Sequence, residues 1–291
     1  MSRSISPGIL NSNEVEYKIM TNNNLKISLP TASPPWTRLG KKIESMCRKA
    51  LYDFKLLEKS TSVGIALSGG KDSLTLLFML KAIVGRGFPD FKITAFHVNG
   101  EFSCGAGVNE AFLKGICREL DIELVCLASN QTRETLECYS CSRERRKLIF
   151  NAARAKGCQV VAFGHHRDDS IQTLLMNLFH KGEFAANLAK VPMYEYGITI
   201  IRPLIYVPES DILEFAKLYG FSRVTCQCPI GQDSLRKQTD KWISSLEKTF
   251  PNLRENLSHA SLNYASDKAA RNPRQGNPFN TSKISKEIAI G

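Results

Sequence analysis

Val63-Gly64-Ile65-Ala66-Leu67-Ser68-Gly69-Gly70-Lys71-Asp72-Ser73 decides the fold. An apolar run, Val63 to Leu67, ends in a Ser-Gly-Gly turn, and the turn opens into a helical pattern from Ser73 to Val84. Two glycines let backbone approach an anion closely and adopt positive φ without steric cost. The helix that follows aims N–H groups and a positive dipole end at that anion. Lys71 adds a mobile cation, Asp72 a carboxylate, and Ser68 and Ser73 supply hydroxyls. Leu67 to Ser73 therefore reads as a nest for phosphate or pyrophosphate. The spacing is neither that of the Walker loop nor that of the G-x-G-x-x-G dinucleotide turn.

Working outward, apolar runs alternate with helical patterns. Strands are expected at Val63–Leu67, Lys92–Val98, Ile122–Leu127, Val160–Phe163 and Ile198–Ile201. Helices are expected at Ser73–Val84, Val108–Leu120, Arg143–Ala155, Asp169–Phe179 and Glu209–Tyr219. The alternation predicts an α/β fold, a doubly wound, mainly parallel five-stranded sheet with helices on both faces. Right-handed crossovers place the loops after each strand on one edge, where such sheets bind ligands. The polar clusters converge there. Ser68–Ser73 follows strand one, His97 and Asn99 close strand two, and Gly164–Asp169 follows strand four.

The chain has 291 residues and a net charge of +11. That basic balance favours a polyanionic partner such as nucleic acid. No stretch approaches the ~20 apolar residues of a membrane span, and the N-terminus does not read as a secretory signal, so a cytoplasmic location is expected. Residues 1–35 are polar and read as a flexible N-terminal extension, residues 36–262 as the catalytic domain, and residues 263–291 as a disordered tail. Among nine cysteines, Cys47, Cys104, Cys117, Cys126 and Cys158 stand alone and read as small buried apolar residues.

The remaining cysteines cluster. Cys138-Tyr139-Ser140-Cys141 precedes a basic helix with Arg143, Arg145, Arg146 and Lys147, and Cys226-Gln227-Cys228 comes much later. A C-x-x-C pair joined by a third thiolate suits zinc or an iron–sulfur cluster. Taken alone, the pair is also compatible with a redox couple. In Gly164-His165-His166-Arg167-Asp168-Asp169, one carboxylate is expected to cap the following helix, and the other to face the phosphate edge and bind Mg²⁺ or move a proton. His165 and His166 make poor joint zinc ligands, because adjacent side chains at a strand end point apart. Arg145, one turn past Cys141, either reaches a phosphate or cluster or sits on a solvated helix face.

Ser68-Gly69-Gly70-Lys71-Asp72-Ser73 resembles the phosphate loop (PP-loop) of the N-type ATP pyrophosphatases. Cys138-Tyr139-Ser140-Cys141-Ser142-Arg143, Gly164 to Asp169 with Gln172-Thr173, Ile201-Arg202-Pro203-Leu204, and Cys226 with Gln232 narrow the resemblance. They are similar to the PP-loop tRNA thiolases, most of all the tRNA 2-thiocytidine synthetase group, over roughly Trp36 to Ala260. The resemblance implies ATP, Mg²⁺ and a [4Fe–4S] cluster as cofactors, with Cys138, Cys141 and Cys226 as cluster ligands. It implies Leu67, Ser68, Gly69, Gly70, Lys71, Asp72, Ser73, His97 and Gly164 around the nucleotide, Gly164 by leaving room for it. Asp169, Arg145 and Lys71 would act in catalysis. The family's second cysteine in the last motif falls at Pro229 here, and Cys228 stands one residue earlier. The activity implied is adenylylation of the C2 oxygen of a tRNA cytidine, position 32 of the anticodon loop, and its replacement by sulfur. The implied partners are tRNA and a cysteine-desulfurase-type sulfur donor; the resemblance allows a homodimer and calls for no membrane. A lysidine-synthetase-like ligase is the competing enzyme reading, and a zinc-stabilised RNA-binding protein the non-enzyme one.

Overall fold

The computed structural model describes residues 29–57, 62–100, 110–129, 138–221 and 235–266, with residues 138–140 described by backbone only. Its centre is a six-stranded sheet in the order β3-β2-β1-β4-β6-β5. The strands are β1 Ser62–Ala66, β2 Lys92–Asn99, β3 Glu123–Ala128, β4 Val160–Ala162, β5 Lys190–Met193 and β6 Ile198–Ile201. All neighbours pair in parallel except β5, which lies antiparallel to β6. The strand count is thus corrected from five to six. The unforeseen strand is short and contains Pro192, which an edge strand tolerates because its missing N–H interrupts no interior ladder. Gly197, at φ 63°, lies in the connection that returns the chain into β6.

Eight described helices run α1 Arg38–Asp53, α2 Lys71–Ile83, α3 Glu110–Glu119, α4 Cys138–Ala155, α5 Arg167–Lys181, α6 Glu209–Leu218, α7 Leu235–Leu246 and α8 Leu253–Tyr264. None is long and apolar enough to cross a membrane. One core is built of Val63, Ile65, Leu74, Leu77, Ile93 and Phe215, joining α1, α2 and α6 to one face of the sheet. The other is built of Phe96, Val98, Ile149, Phe150 and Val161, joining α4 to the opposite face. Alternation along β2 divides the two: Ile93 and Ala95 point one way, Phe96 and Val98 point into the α4 side and toward the cavity described below.

Helix α4 starts at Cys138, five positions before the expected Arg143, so Cys138 and Cys141 lie one turn apart on a helix. Helices α1, α7 and α8 were not foreseen. The buried positions of helix α8 are Ser258 and Ser261, and Leu253 and Leu257 of the same helix pack on Ile171, Leu175 and Ile243. Ser261 Oγ donates to the Ser258 carbonyl at 2.8 Å and meets Ser170 Oγ at 3.3 Å, so hydrogen bonds add to the apolar packing there. Part of the segment read as an N-terminal extension is docked: Leu29 packs on the core, and Ala32 is buried. Residues 1–28 and 267–291 lie outside the described residues. Cys47, Cys117 and Cys158 are buried, Cys126 is half-buried, and Cys104 lies outside the described residues.

Candidate active site

The phosphate loop is tied to itself. Gly69 adopts φ 84°, a conformation that L side chains rarely reach. Ser73 Oγ accepts from the Gly69 N–H at 3.1 Å and donates to the Gly70 carbonyl at 3.0 Å. Ser68 Oγ accepts from the Gly70 N–H at 3.3 Å and donates to Ser73 Oγ at 3.2 Å. Both hydroxyls expected to serve an anion are therefore engaged within the loop. What faces the anion position is the first turn of α2, whose N-cap, Gly70, carries no side chain to occupy it.

A cavity of about 380 Å³ opens at this helix end. That volume falls within the roughly 300–1,000 Å³ of small-molecule sites. The loop contributes Leu67, Ser68, Asp72 and Ser73, and the ends of β1 and β2 contribute Ala66, Phe96 and Val98. Helix α4 supplies Ser142, Arg145, Arg146 and Ile149; the β4–α5 turn supplies Phe163, Gly164, His165 and Asp169; α7 supplies Arg236. Three guanidiniums thus share an enclosure with a helix N-terminus, an arrangement suited to a polyphosphate.

The other expected site residues are placed as follows. His97 is fully buried and does not line the cavity; its Nδ1 lies 2.9 Å from the Leu67 carbonyl, pinning β2 to the start of the loop. Burial holds its pKa below the usual imidazole value. The Lys71 amine sits on Asp72 at 2.8 Å and on Glu209 at 2.9 Å, and it does not line the cavity either. Burial works against its charge, but these two carboxylates outweigh that and raise its pKa. A Cβ on Gly164 would stand 2.9 Å from the Asp72 carbonyl carbon and 3.0 Å from the Ser73 nitrogen. The partner in that close approach is the backbone of the phosphate loop, where the sequence pointed to a nucleotide. Cys141 is buried in the first turn of α4, directly before the cavity-lining Ser142. The side chain of Cys138 and the whole of Cys226 and Cys228 lie outside the described residues, and among those described no three His, Cys, Asp or Glu side chains gather as a metal site.

The two aspartates divide their work. Asp168 is buried; its Oδ2 accepts the Glu209 N–H at 2.8 Å, capping α6, and its Oδ1 accepts from Arg254 at 2.7 Å. Asp169 faces the cavity, takes the His166 N–H at 3.1 Å, and pairs with Arg236. Burial alone would raise its pKa, but His166, His165 and Arg236 with that N–H outweigh it and hold the carboxyl well below its usual range. His166 sits among three carboxylates, its Nε2 3.3 Å from Asp169 and 3.7 Å from Asp72 and its Nδ1 4.0 Å from Asp168. His165 turns instead to the cavity, so the adjacent histidines do point apart. Sequence reasoning gave no site role to His165, Arg202, Glu209 or Arg254. Arg202 lay inside a family stretch; Arg254 and Glu209 carried no signal, because long-range ion pairs leave no local pattern.

Residues 37–225 match the model of the PP-loop domain family. The chain is 34% identical over 227 residues to a tRNA-cytidine(32) 2-sulfurtransferase of Syntrophotalea carbinolica, covering 76% of this chain and 88% of that protein. It is 33% identical over 239 residues to a protein of the same name from Coxiella burnetii, covering 78% and 91%. Among solved structures it is similar to the U34-tRNA thiolase NcsA of Methanococcus maripaludis with its [4Fe-4S] cluster, at a TM-score of 0.63, 24% identity and 77% of each chain, a likeness of fold. The loop geometry, the strand order and these matches agree: the chain belongs to the PP-loop domain family, in the tRNA-cytidine(32) 2-sulfurtransferase group of enzymes.

Proposed function

We propose that the protein is an ATP-dependent tRNA sulfurtransferase that adenylylates the C2 oxygen of the cytidine at position 32 and replaces it with sulfur. The observation that carries this reading is that the N-terminus of α2 and the helix that begins with Cys138 and Cys141 contribute to one cavity. Activation by ATP and sulfur chemistry would then act on one base without its release.

Among the described residues, Cys141 and Asp72 have the donor chemistry that the groups of this reaction would need. Cys138 and Cys141 are one helical turn apart, a spacing that would let both thiolates hold one cluster. With Cys226 they would hold a [4Fe–4S] cluster, which when bound supplies an iron able to carry sulfide. Asp72 lines the cavity beside the helix N-terminus and would hold Mg²⁺ together with phosphate oxygens of the nucleotide.

The chain's own groups do the rest. The α2 N-terminus, Arg145 and Arg146 orient the triphosphate so that the C2 oxygen attacks the α-phosphorus and pyrophosphate departs. The former carbonyl oxygen now belongs to AMP, a good leaving group, and sulfur attack at C2 expels it. Asp169, held ionised, is a weak proton acceptor; it serves as an anion that fixes Arg236 over the cavity. Arg143, Lys147, Lys237 and Lys241 add positive charge for the tRNA phosphates.

Anaerobically reconstituted protein, given ATP, sulfide and an unmodified tRNA transcript, is expected to release pyrophosphate and form 2-thiocytidine, read by mass spectrometry of the nucleosides. Pyrophosphate release with lysine incorporation in place of sulfur would make the protein a ligase, and no tRNA-dependent release would overturn the reading.

A further inference from the structure

His165 has no role in the steps above, yet it forms part of the cavity wall. Its ring stacks on Phe163, with centroids 5.7 Å apart and planes within 12° of parallel. Arg202 Nε lies 3.2 Å from its Nδ1. A guanidinium nitrogen can only donate, so Nδ1 must accept, and the ring proton must sit on Nε2. Arg202 is itself locked: its side chain is buried, Nη1 donates to the Leu188 carbonyl, and its backbone N–H donates to Ala189 at 2.9 Å. Burial first, and then the charge of Arg202, press the imidazole pKa far below its ordinary value; Arg146 and Arg236 add to this, and Asp169 opposes it. His165 is therefore a neutral N–H donor with one available tautomer.

The cavity does not lack charge for phosphates, since three arginines supply it. A neutral donor beside the apolar surfaces of Phe163 and Ile149 suits a flat heterocycle with a ring lone pair. Cytosine and uracil share the C2 carbonyl, so activation at that oxygen does not tell them apart. They differ at N3, which is a bare acceptor in cytosine and an N–H donor in uracil.

We propose that His165 is a specificity-determining residue whose fixed Nε2–H donates to N3 of the target cytosine, and that Arg202 is the positioning residue that keeps it from presenting an acceptor. The inference rests on the proposed function in taking a tRNA pyrimidine as substrate. Uridine in this site would set two donors against each other, a mismatch of the kind that costs roughly 1–3 kcal/mol, or about tenfold to a hundredfold.

The test compares anticodon stem-loops carrying cytidine or uridine at the target position, with pyrophosphate release by the holoenzyme as readout. The wild type is expected to favour cytidine by at least about tenfold. In His165→Gln the side-chain amide can turn to donate or to accept, so turnover on cytidine falls moderately while the preference collapses toward unity. Arg202→Met frees the tautomer and collapses the preference in the same way. An unchanged preference in His165→Gln overturns the inference. A loss of ATP affinity with preference intact also overturns it and moves His165 to the nucleotide. No release with either RNA removes the proposed function and this inference together, whereas release without discrimination removes the inference alone. ¹⁵N NMR of the resting protein reads the tautomer separately; a proton on Nδ1 overturns the proposal whatever the chemistry.

Discussion

The amine of Lys71 lies 2.9 Å from a carboxylate oxygen of Glu209, so the cation of the phosphate loop is held by the first turn of α6. To reach a phosphate, Lys71 must leave that partner. Glu209→Gln is therefore expected to lower the KM for ATP by up to about fivefold, the ~1 kcal/mol scale of a partly exposed ion pair. Lys71→Ala is expected to raise it. Pyrophosphate release titrated against ATP checks both, and a KM unmoved by Glu209→Gln would show that Lys71 stays where it is.

Asp168 and Asp169 are predicted to fail differently. Asp168→Ala removes the cap of α6 and one of the three carboxylates around Arg254, Asp240 and Glu247 remaining, at a cost of roughly 1–2 kcal/mol in urea unfolding. Asp169→Asn keeps the shape and releases Arg236. Its turnover is expected to fall on the order of 100-fold, the cost of a misplaced catalytic group, with stability changed by about 1 kcal/mol at most.

Gly164→Ala probes the contact between the two loops. Its Cβ would press on backbone atoms that cannot rotate away. The expected cost is about 1–3 kcal/mol in stability. A larger effect on kcat is expected as well, because the displaced atoms belong to the N-terminus of α2.

Acid should weaken the fold through His165. Its folded pKa lies below the unfolded value of about 6.5, so between those two values the unfolded chain takes up a proton that the folded one refuses. Its contribution is fully present above about pH 6.5 and is lost as pH falls toward the folded pKa, with a slope of at most ~1.4 kcal/mol per pH unit. Asp169 adds to the loss only below about pH 4, where unfolded carboxylates protonate. Denaturation curves of His165→Gln should therefore be flatter than wild type between about pH 6.5 and about pH 4.

The cluster ligands are separable from the other thiols by iron content. Cys138→Ala, Cys141→Ala and Cys226→Ala should each lose iron and visible absorbance after anaerobic reconstitution. Cys228→Ala and Cys126→Ala should keep both. Retention in Cys226→Ala with loss in Cys228→Ala would reassign the third ligand.

The parts of this protein legible in its sequence are those governed by local pattern. Apolar periodicity reveals β1 through β4, β6 and the helices between them, and a glycine turn between strand and helix reveals the phosphate loop. Strand β5 escapes because four residues with a central proline carry no strand pattern, and its place is set by pairing with β6. Helix α8 escapes because its buried positions are serines, which break the apolar periodicity. At the site, residue types single out Asp169 and Arg145, which line the cavity, but not where Lys71 and His97 point. The direction of Lys71 depends on Glu209, and that of His97 on its bond to the Leu67 carbonyl, both of which are matters of tertiary geometry.

Ser68 and Ser73 hold the phosphate loop together through hydrogen bonds among the loop's own atoms. Within the loop itself, anion binding then has little backbone left to order. The entropy of arranging the anion nest has already been lost on folding, and affinity for ATP is not diminished by it a second time. A loop prepared in this way should bind nucleotide at a rate set by diffusion and by the side chains around the mouth, with no slow rearrangement of the main chain.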